Sequence, residues 1–523
     1  MEGVRSDKRR TPFVMFRSAW LTNDLKRGNP MIQIQNRTSN NQGLTRALPY
    51  GRNLSALLSN QSEGRRAFVA VGLTALAASC IAQSAPAPIP ATSVEPPVKE
   101  KNYLIGGQVT IIPQTLLPFH SPYAGRNSLV DPSTPATDWT DTYTLFLGYR
   151  PVKSLEFYVD PEMARGAGVG GAVGLGGYPN GDVLRVPGFG IGALPQSPYL
   201  ARYFARWTFA TGSGTTKLAA GENQIGGDAP ANRIVVSAGK LPVTDIFDTN
   251  TYSNSTRTQF MNWALINNAA FDYAADTRGY SDGAAIEWIH PTWALRLGSF
   301  EMPVIPNGPV LATHWNVDQG DELEAEVHPQ LVKGKDPAVV RMLAYRNIAH
   351  MGNYQEAIQI GQQTGTPPDI TATEKNGAIK YGFGLNMEQA MGDDGDTGLF
   401  ARLGWDDGRT ESFAYTECDD QVSLGAQISG KRWKSPQEHL GIALLSDGLS
   451  AAHRDYLAAG GNGFLLGDGQ LNYGREMIME TYWQRQITKQ VAFTLDYQFI
   501  ANPGYNQDRG PVSIITARVH YEF

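Results

Sequence analysis

The chain has 523 residues, with 44 Lys/Arg against 50 Asp/Glu for a formal charge of −6, 56 glycines, 10% aromatic residues and a mean hydropathy of −0.29. Mild acidity argues against a nucleic-acid partner, two cysteines cannot build a disulfide scaffold, and no apolar run reaches the roughly 20 residues of a membrane helix. Low hydropathy excludes nothing about a membrane barrel, whose strands hide their hydrophobicity by alternating it.

Residues 1–63 carry ten Lys/Arg and no hydrophobic period, and are expected to be a basic disordered leader or a mis-assigned start. Residues 64–85 read as a secretory signal: Arg65 and Arg66 precede the apolar run Ala67–Ala82, and the small residues Ser84 and Ala85 follow it. At 16 residues the run is short for a transmembrane anchor. Cys80 leaves lipidation as an alternative, but Ala77, Ala78 and Ser79 lack the large aliphatic residue that usually precedes a lipidated cysteine. Removing residues 1–85 takes away twelve Lys/Arg and four acidic residues, which moves the charge from −6 to −14 and leaves Cys418 as the only cysteine. Such acidity does not favour an anion-specific role. Residues 86–102, rich in Pro and Ala over Pro86–Pro97, are expected to be an extended periplasmic linker.

From residue 103 onward the period becomes two. Tyr143, Leu145, Leu147 and Tyr149 alternate with Thr144, Phe146, Gly148 and Arg150, and after the tight turn Pro151–Ser154 the residues Leu155, Phe157 and Val159 oppose Glu156, Tyr158 and Asp160. Ile379 to Met387 repeats the pattern against Lys380, Gly382, Gly384, Asn386 and Glu388, and so do Leu399–Trp405, Val422–Ile428 and Val491–Phe499. The last residues follow suit, with Ala517, Val519, Tyr521 and Phe523 on one face and Thr516, Arg518, His520 and Glu522 on the other. One face is apolar and often ends in an aromatic, while the other is mostly glycine, polar or charged with an occasional apolar residue, as in a barrel with lipid outside and water inside.

The predicted fold is therefore all-β, a transmembrane antiparallel barrel of about sixteen strands over 103–523, wide enough to leave an aqueous lumen. Long connections are expected at 166–198, 211–232, 249–278, 301–318 and 349–376, either extracellular or folded inward to narrow the pore, with a short helix near Leu449–Ala459.

Two enzyme-like strings lack their context. Gly279–Gly283 matches the G-x-S-x-G elbow around Ser281, but a strand-like run follows where a helix is needed. Gly166–Gly171 matches a dinucleotide string with no helix after it. The eight histidines show no paired ligand spacing, so neither a metal nor another cofactor is expected.

The closing stretch from Tyr497, YQFIANPGYNQDRGPVSIITARVHYEF, resembles the last segment of the carbohydrate-selective, OprB-type porins. GGQVTIIPQ at Gly106–Gln114, NSL at Asn127–Leu129, YVDPEMARGAGV and GGYPNGD between Tyr158 and Asp182, and DTRGYSDG at Asp276–Gly283 are similar as well. The Ser281–Asp282 pair departs from the family, where Thr and Trp are commoner. The resemblance implies a sixteen-stranded outer-membrane channel for sugars, without ATP or metal, constricted by inward-folded loops that carry charged and polar side chains.

Sugar hydroxyls both donate and accept, so carboxylates, guanidinium groups and amides can take over their hydrogen bonds as water leaves. The constriction candidates are Glu162, Arg165, Asn180 and Asp182 in the first long loop, Arg257 and Asn262 in the third, and Asp276 and Arg278 at its end. Asn502, Asp508 and Arg509 are expected only to hold a turn. The expected partners are carbohydrates as permeating solutes and outer-membrane lipid. A general or ion-selective porin, a barrel-embedded hydrolase using Ser281 and a secreted lectin remain alternatives.

Overall fold

The computed structural model describes residues 101–183, 194–314 and 317–523. The expected leader, the signal and all but the end of the linker lie outside these residues. Eighteen strands are found among them: β1 (Tyr103–Leu116), β2 (Ala136–Val152), β3 (Leu155–Gly166), β4 (Tyr199–Ala210), β5 (Thr215–Leu218), β6 (Gly227–Pro230), β7 (Arg233–Leu241), β8 (Ser281–His290), β9 (Trp293–Glu301), β10 (Gln319–Val327), β11 (Val339–Met351), β12 (Lys375–Gly392), β13 (Thr397–Asp406), β14 (Asp420–Ser429), β15 (Glu438–Gly448), β16 (Glu476–Gln486), β17 (Val491–Ala501) and β18 (Val512–Glu522). Sixteen of them form one closed antiparallel barrel, and β5 and β6 make a separate hairpin inside the β4–β7 connection.

Closure depends on the end of the chain. β18 pairs with β1 from Leu116↔Ile514 to Gln108↔Glu522, and beyond it the Phe523 amide donates to Gly107 O at 3.0 Å. Without this pairing both strands would be open edges in lipid, where an unpaired backbone group has no water to satisfy it.

Burial follows the period of two. On β12 the apolar Ile379, Tyr381 and Phe383 are exposed, whereas Lys380, Asn386 and Glu388 are buried. A soluble sheet would have the opposite arrangement, so the outer surface is apolar by design of the sequence. Aromatics gather toward both rims: Phe383 stacks on Trp405 near the outer end of β12 and β13, and Trp288 and Trp293 pack edge to face at the β8–β9 turn.

Tyr103 and Phe523 lie at the same end as the short turns, the periplasmic end of such barrels, and most long connections lie at the other. The 211–232 connection is the exception. It joins β4 to β7 at the short-turn end, yet its tip folds up into the lumen. Arg150 donates to Ile225 O (2.5 Å), Arg206 to Asn223 O (2.9 Å), and Asn223 to Asp160 (2.7 Å). Length alone places it among extracellular or inward loops; of these it is inward, from the periplasmic side.

Inward-facing glycines explain how loops lie flat on the wall. A Cβ on Gly398 would stand 2.0 Å from the Tyr252 ring, and one on Gly404 would stand 2.0 Å from Asn268 Oδ1. Both contacts belong to the 242–280 connection, which is packed against the barrel interior. The expected helix occurs at Ala451–Ala458, and the 349–376 connection holds another, Tyr354–Thr364, that strand periodicity gave no reason to expect.

Candidate pore constriction

The constriction begins with alternation on two neighbouring strands. On β3 the inward residues are Glu156, Tyr158, Asp160 and Glu162, and on β4 they include Arg202, Phe204 and Arg206. The register sets Glu156 opposite Arg206, Asp160 opposite Arg202 and Glu162 opposite Tyr199. Paired residues on one face are close neighbours, so the strands place acids and guanidinium groups side by side.

Each rung is completed by a third element. Glu162 accepts from Thr144 (2.7 Å), Tyr199 (2.5 Å), Tyr280 (2.9 Å) and Arg257 (3.1 Å). Arg257, carried on the long connection between β7 and β8, also donates to Asp182 through Nε (3.0 Å) and to Thr144 through Nη1 (3.0 Å). Asp182 accepts in turn from Thr142 at 2.7 Å. Deeper in, Arg202 makes a bidentate pair with Asp245 at 2.8 and 3.1 Å and lies 3.5 Å from Asp160. Deepest, Arg150 and Arg206 flank Glu156 at 2.6 and 3.6 Å. Arg257 keeps 17% of its side chain exposed, Arg206 25% and Asp245 35%, so these pairs face open space.

Arg257 reaches this wall because the 249–278 connection crosses the lumen. On the far side, Arg518 donates to Thr256 O and Gln259 O, Glu480 accepts from the amides of Met261 (2.5 Å) and Asn262 (3.0 Å), and Gln421 accepts from Ala269 N (2.8 Å). Arg402 holds Asp248 at 3.1 Å and donates to the carbonyls of Ser253 (2.8 Å) and Leu265 (2.8 Å). From the periplasmic side the inward tip adds Glu222. With its amide turned so that oxygen and nitrogen exchange places, Gln108 bridges them, donating to Glu222 Oε1 at 3.1 Å and accepting from Arg257 Nη1 at 2.6 Å. The polar gap thus lies between a strap from one mouth and a loop tip from the other.

Of the sequence candidates, Glu162, Asp182 and Arg257 come together in this cluster. Asn180 stands beside them, donating to Thr140 (2.9 Å) and accepting from Asp182 N (2.9 Å), but it is fully buried. Asn262 lies elsewhere: it caps the short helix Trp263–Ile266 and donates to Gly177 O and Gln498. Asp276 is buried at the end of the strap, paired with Lys240 at 3.0 Å. Arg278 lies over the Tyr199 ring, 3.8 Å from its centre. Arg165 is a correction. It falls on the outward parity of β3 with Phe157 and Val159 and pairs with Asp141 at 2.5 Å, so it does not line the lumen.

Arg202, Arg206, Asp245, Arg150 and Glu222 were not anticipated. The first two sit at i and i+4 of an alternating strand, a pattern the sequence does display. Asp245 and Glu222 come from loops whose path no period reveals. Ser281 opens β8 and donates to Glu301 O at 2.7 Å, so the turn and helix of a nucleophile elbow are absent there. Asn502 donates to Arg475 O (2.9 Å), and Asp508 and Arg509 tie the last loop to Tyr123, Asp468 and Leu129, the turn-holding role expected of these three, with Asn506 joining them on Asp468.

A family model described as carbohydrate-selective porin, OprB family, matches residues 151–523. Similar solved structures include Pseudomonas putida OprB at high pH, 15% identical, covering 81% of this chain and 94% of that one with a TM-score of 0.59. The same protein at low pH matches with 12% identity, 81% and 93% coverage and a TM-score of 0.42. The outer membrane channel DcaP of Acinetobacter baumannii matches with 10% identity, 80% and 97% coverage and a TM-score of 0.42. No curated protein matches the chain.

Proposed function

We infer what crosses this barrel from one premise: the chain belongs to the OprB family of carbohydrate-selective porins, and so is a sugar-passing channel of the bacterial outer membrane. A water-filled path through a closed barrel needs no energy source, so movement is passive and down the gradient. The solutes we assign are monosaccharides and small oligosaccharides, and the selecting wall is the series Arg257–Glu162/Asp182, Arg202–Asp245/Asp160 and Arg206–Glu156.

The observation that carries this reading is the pairing of each partly exposed guanidinium with a carboxylate. Each guanidinium is held by one or two carboxylates, and together they present fixed donors and acceptors a few ångströms apart. A neutral polyol can exchange its water hydrogen bonds for these one at a time. A free anion would have to displace a carboxylate from guanidiniums that are already paired. Residues 1–85 are assigned to leader and export signal, consistent with delivery to the outer membrane.

Liposome swelling tests this directly with glucose, maltose and charged solutes of matched size. Faster entry of the sugars supports carbohydrate selection at this wall. Equal rates for all solutes would show a general pore instead.

A further inference from the structure

At the outer mouth, among the β3–β4, β7–β8, β9–β10 and β13–β14 connections, lies a cavity of about 80 Å³. It is separate from the Arg257 cluster. One side is aromatic. Trp263 and Tyr415 stack with ring centres 5.6 Å apart and planes 11° apart, and Tyr273 packs on Tyr415 at 4.6 Å. Trp263 and Tyr415 have their polar tips engaged: Trp263 Nε1 donates to Asn180 O (2.7 Å) and the Tyr415 hydroxyl to Trp263 O (2.5 Å).

Three polar residues line the same cavity, Asn267, Thr277 and Asn307, each more than nine-tenths buried. Asn267 Nδ2, Thr277 Oγ1 and Asn307 Nδ2 have no hydrogen-bond partner. Buried donors are rarely left unmade, because the lost hydration is not recovered. The charged groups nearby are already used: Asp276 is held by Lys240 and by the amides of Arg278 and Tyr280, and Arg278 donates to Pro195 O while covering Tyr199. What remains unmet is two amide donors and a hydroxyl beside apolar ring surface.

We propose that this cavity is an outer docking site for a single neutral sugar ring, its hydroxyls taking the Asn267, Thr277 and Asn307 donors and its C–H surface meeting the aromatic side. A cation would find no unpaired carboxylate here, Asp276 being held by Lys240, and a purely apolar ligand would leave the donors unmet. At roughly 10–15 Å³ per water on this measure, the space holds several waters, or one ring edge in their place. The site adjoins the constriction, since Asp276 Oδ1 accepts from the Tyr280 amide and the Tyr280 hydroxyl donates to Glu162. A ring released from the cavity would meet the Arg257 cluster next.

This inference rests on the sugar-channel reading, and the test separates the two. Single channels in planar bilayers are titrated with glucose and with maltose, added to the outer or the inner side. The variants are Thr277→Val, Asn267→Asp and Asn307→Asp, each compared with its own sugar-free conductance. The wild type should show stronger block from the outer side, and each variant should weaken outer-side block by about tenfold, the scale of one lost hydrogen bond to a buried group. Variants that block as the wild type does overturn the docking site and leave the channel reading standing. Failure of either sugar to block or cross the wild type overturns both. Should the Asn variants fail to insert, the near-isosteric Thr277→Val decides alone.

Discussion

Two parts of the barrel interior use the same residue types for opposite ends. From β11 to β18, inward charges are sealed: Arg402 and Lys380 keep none of their side-chain surface, and Asp248 keeps 3%. Around β2–β4 the guanidiniums stay partly wet, with Arg257 at 17% and Arg206 at 25%, as does Asp245 of the strap at 35%, although Glu162 and Asp160 beneath them are sealed. In the first set Arg402, Glu480 and Arg518 grip backbone carbonyls and amides of the 242–280 connection and Lys380 holds its Asp272, whereas the second set meets mainly other side chains and the lumen. Inward polarity alone therefore does not mark a pore-lining residue; what covers it decides whether it anchors or selects.

The sharpest way to break the contrast is to cut the anchors. Arg402→Ala leaves Asp248 buried without its cation and takes a donor from four carbonyls, a loss of about 3–5 kcal/mol by comparison with other broken buried pairs. We expect the strap to detach, conductance to rise several-fold and sugar preference to disappear, as recorded in single-channel traces and swelling assays. A variant that retains wild-type conductance would mean the strap is held by something other than this wall.

Next in size is Arg257→Ala, which strands Glu162 and Asp182 together. Truncating one member of a hydrogen-bonded charge pair costs about 2–5 kcal/mol, less here because Arg257 is partly solvated. Two unneutralised carboxylates should shift the reversal potential toward cation preference and weaken sugar block about tenfold. Unchanged ion selectivity would remove Arg257 from the constriction.

Much of this architecture could be read from the chain. The period of two predicts strands, their outward face and the closing role of Phe523, because lipid imposes that rhythm on every strand. Glu162, Asp182 and Arg257 stood out as polar loop or strand-end residues. The assembly did not, since Arg257 meets Glu162 only because Arg402, Gln421, Glu480 and Arg518 pin the intervening loop, and those four lie 145 to 261 residues beyond Arg257 in the chain. Arg165 misled for a simpler reason: one step of parity on β3 turns a side chain from lumen to outer face.

On the wet wall a smaller effect is expected. Arg206→Gln keeps a donor near Asn223 O but removes the charge beside Glu156. Sugar flux should fall two- to threefold, with the heat-modifiable mobility of the folded barrel unchanged on gels. A loss of folding instead would move Arg206 into the anchoring class.

The mildest effect concerns the outer connections, where burial pushes Glu411 up to about 8 and Glu417 up to about 7. Their folded values lie above the unfolded carboxylate value, so the stability they contribute is complete below about pH 4.5 and is lost as pH rises through 7 to 8. Protease cleavage in these connections should increase several-fold between pH 6 and 9, and Glu411→Gln should flatten that rise. A pH-independent cleavage rate in the wild type would contradict it.

The division between sealed and wet walls is tested most directly by cysteine accessibility in a Cys418→Ser background, using a charged, membrane-impermeant thiol reagent. Asp245→Cys and Arg206→Cys should react quickly, reduce conductance on modification and be protected by glucose, while Asn386→Cys and Gln421→Cys stay unmodified. Fast, sugar-protected reaction at 386 and 421 with silence at 206 and 245 would place the sugar path on the opposite wall.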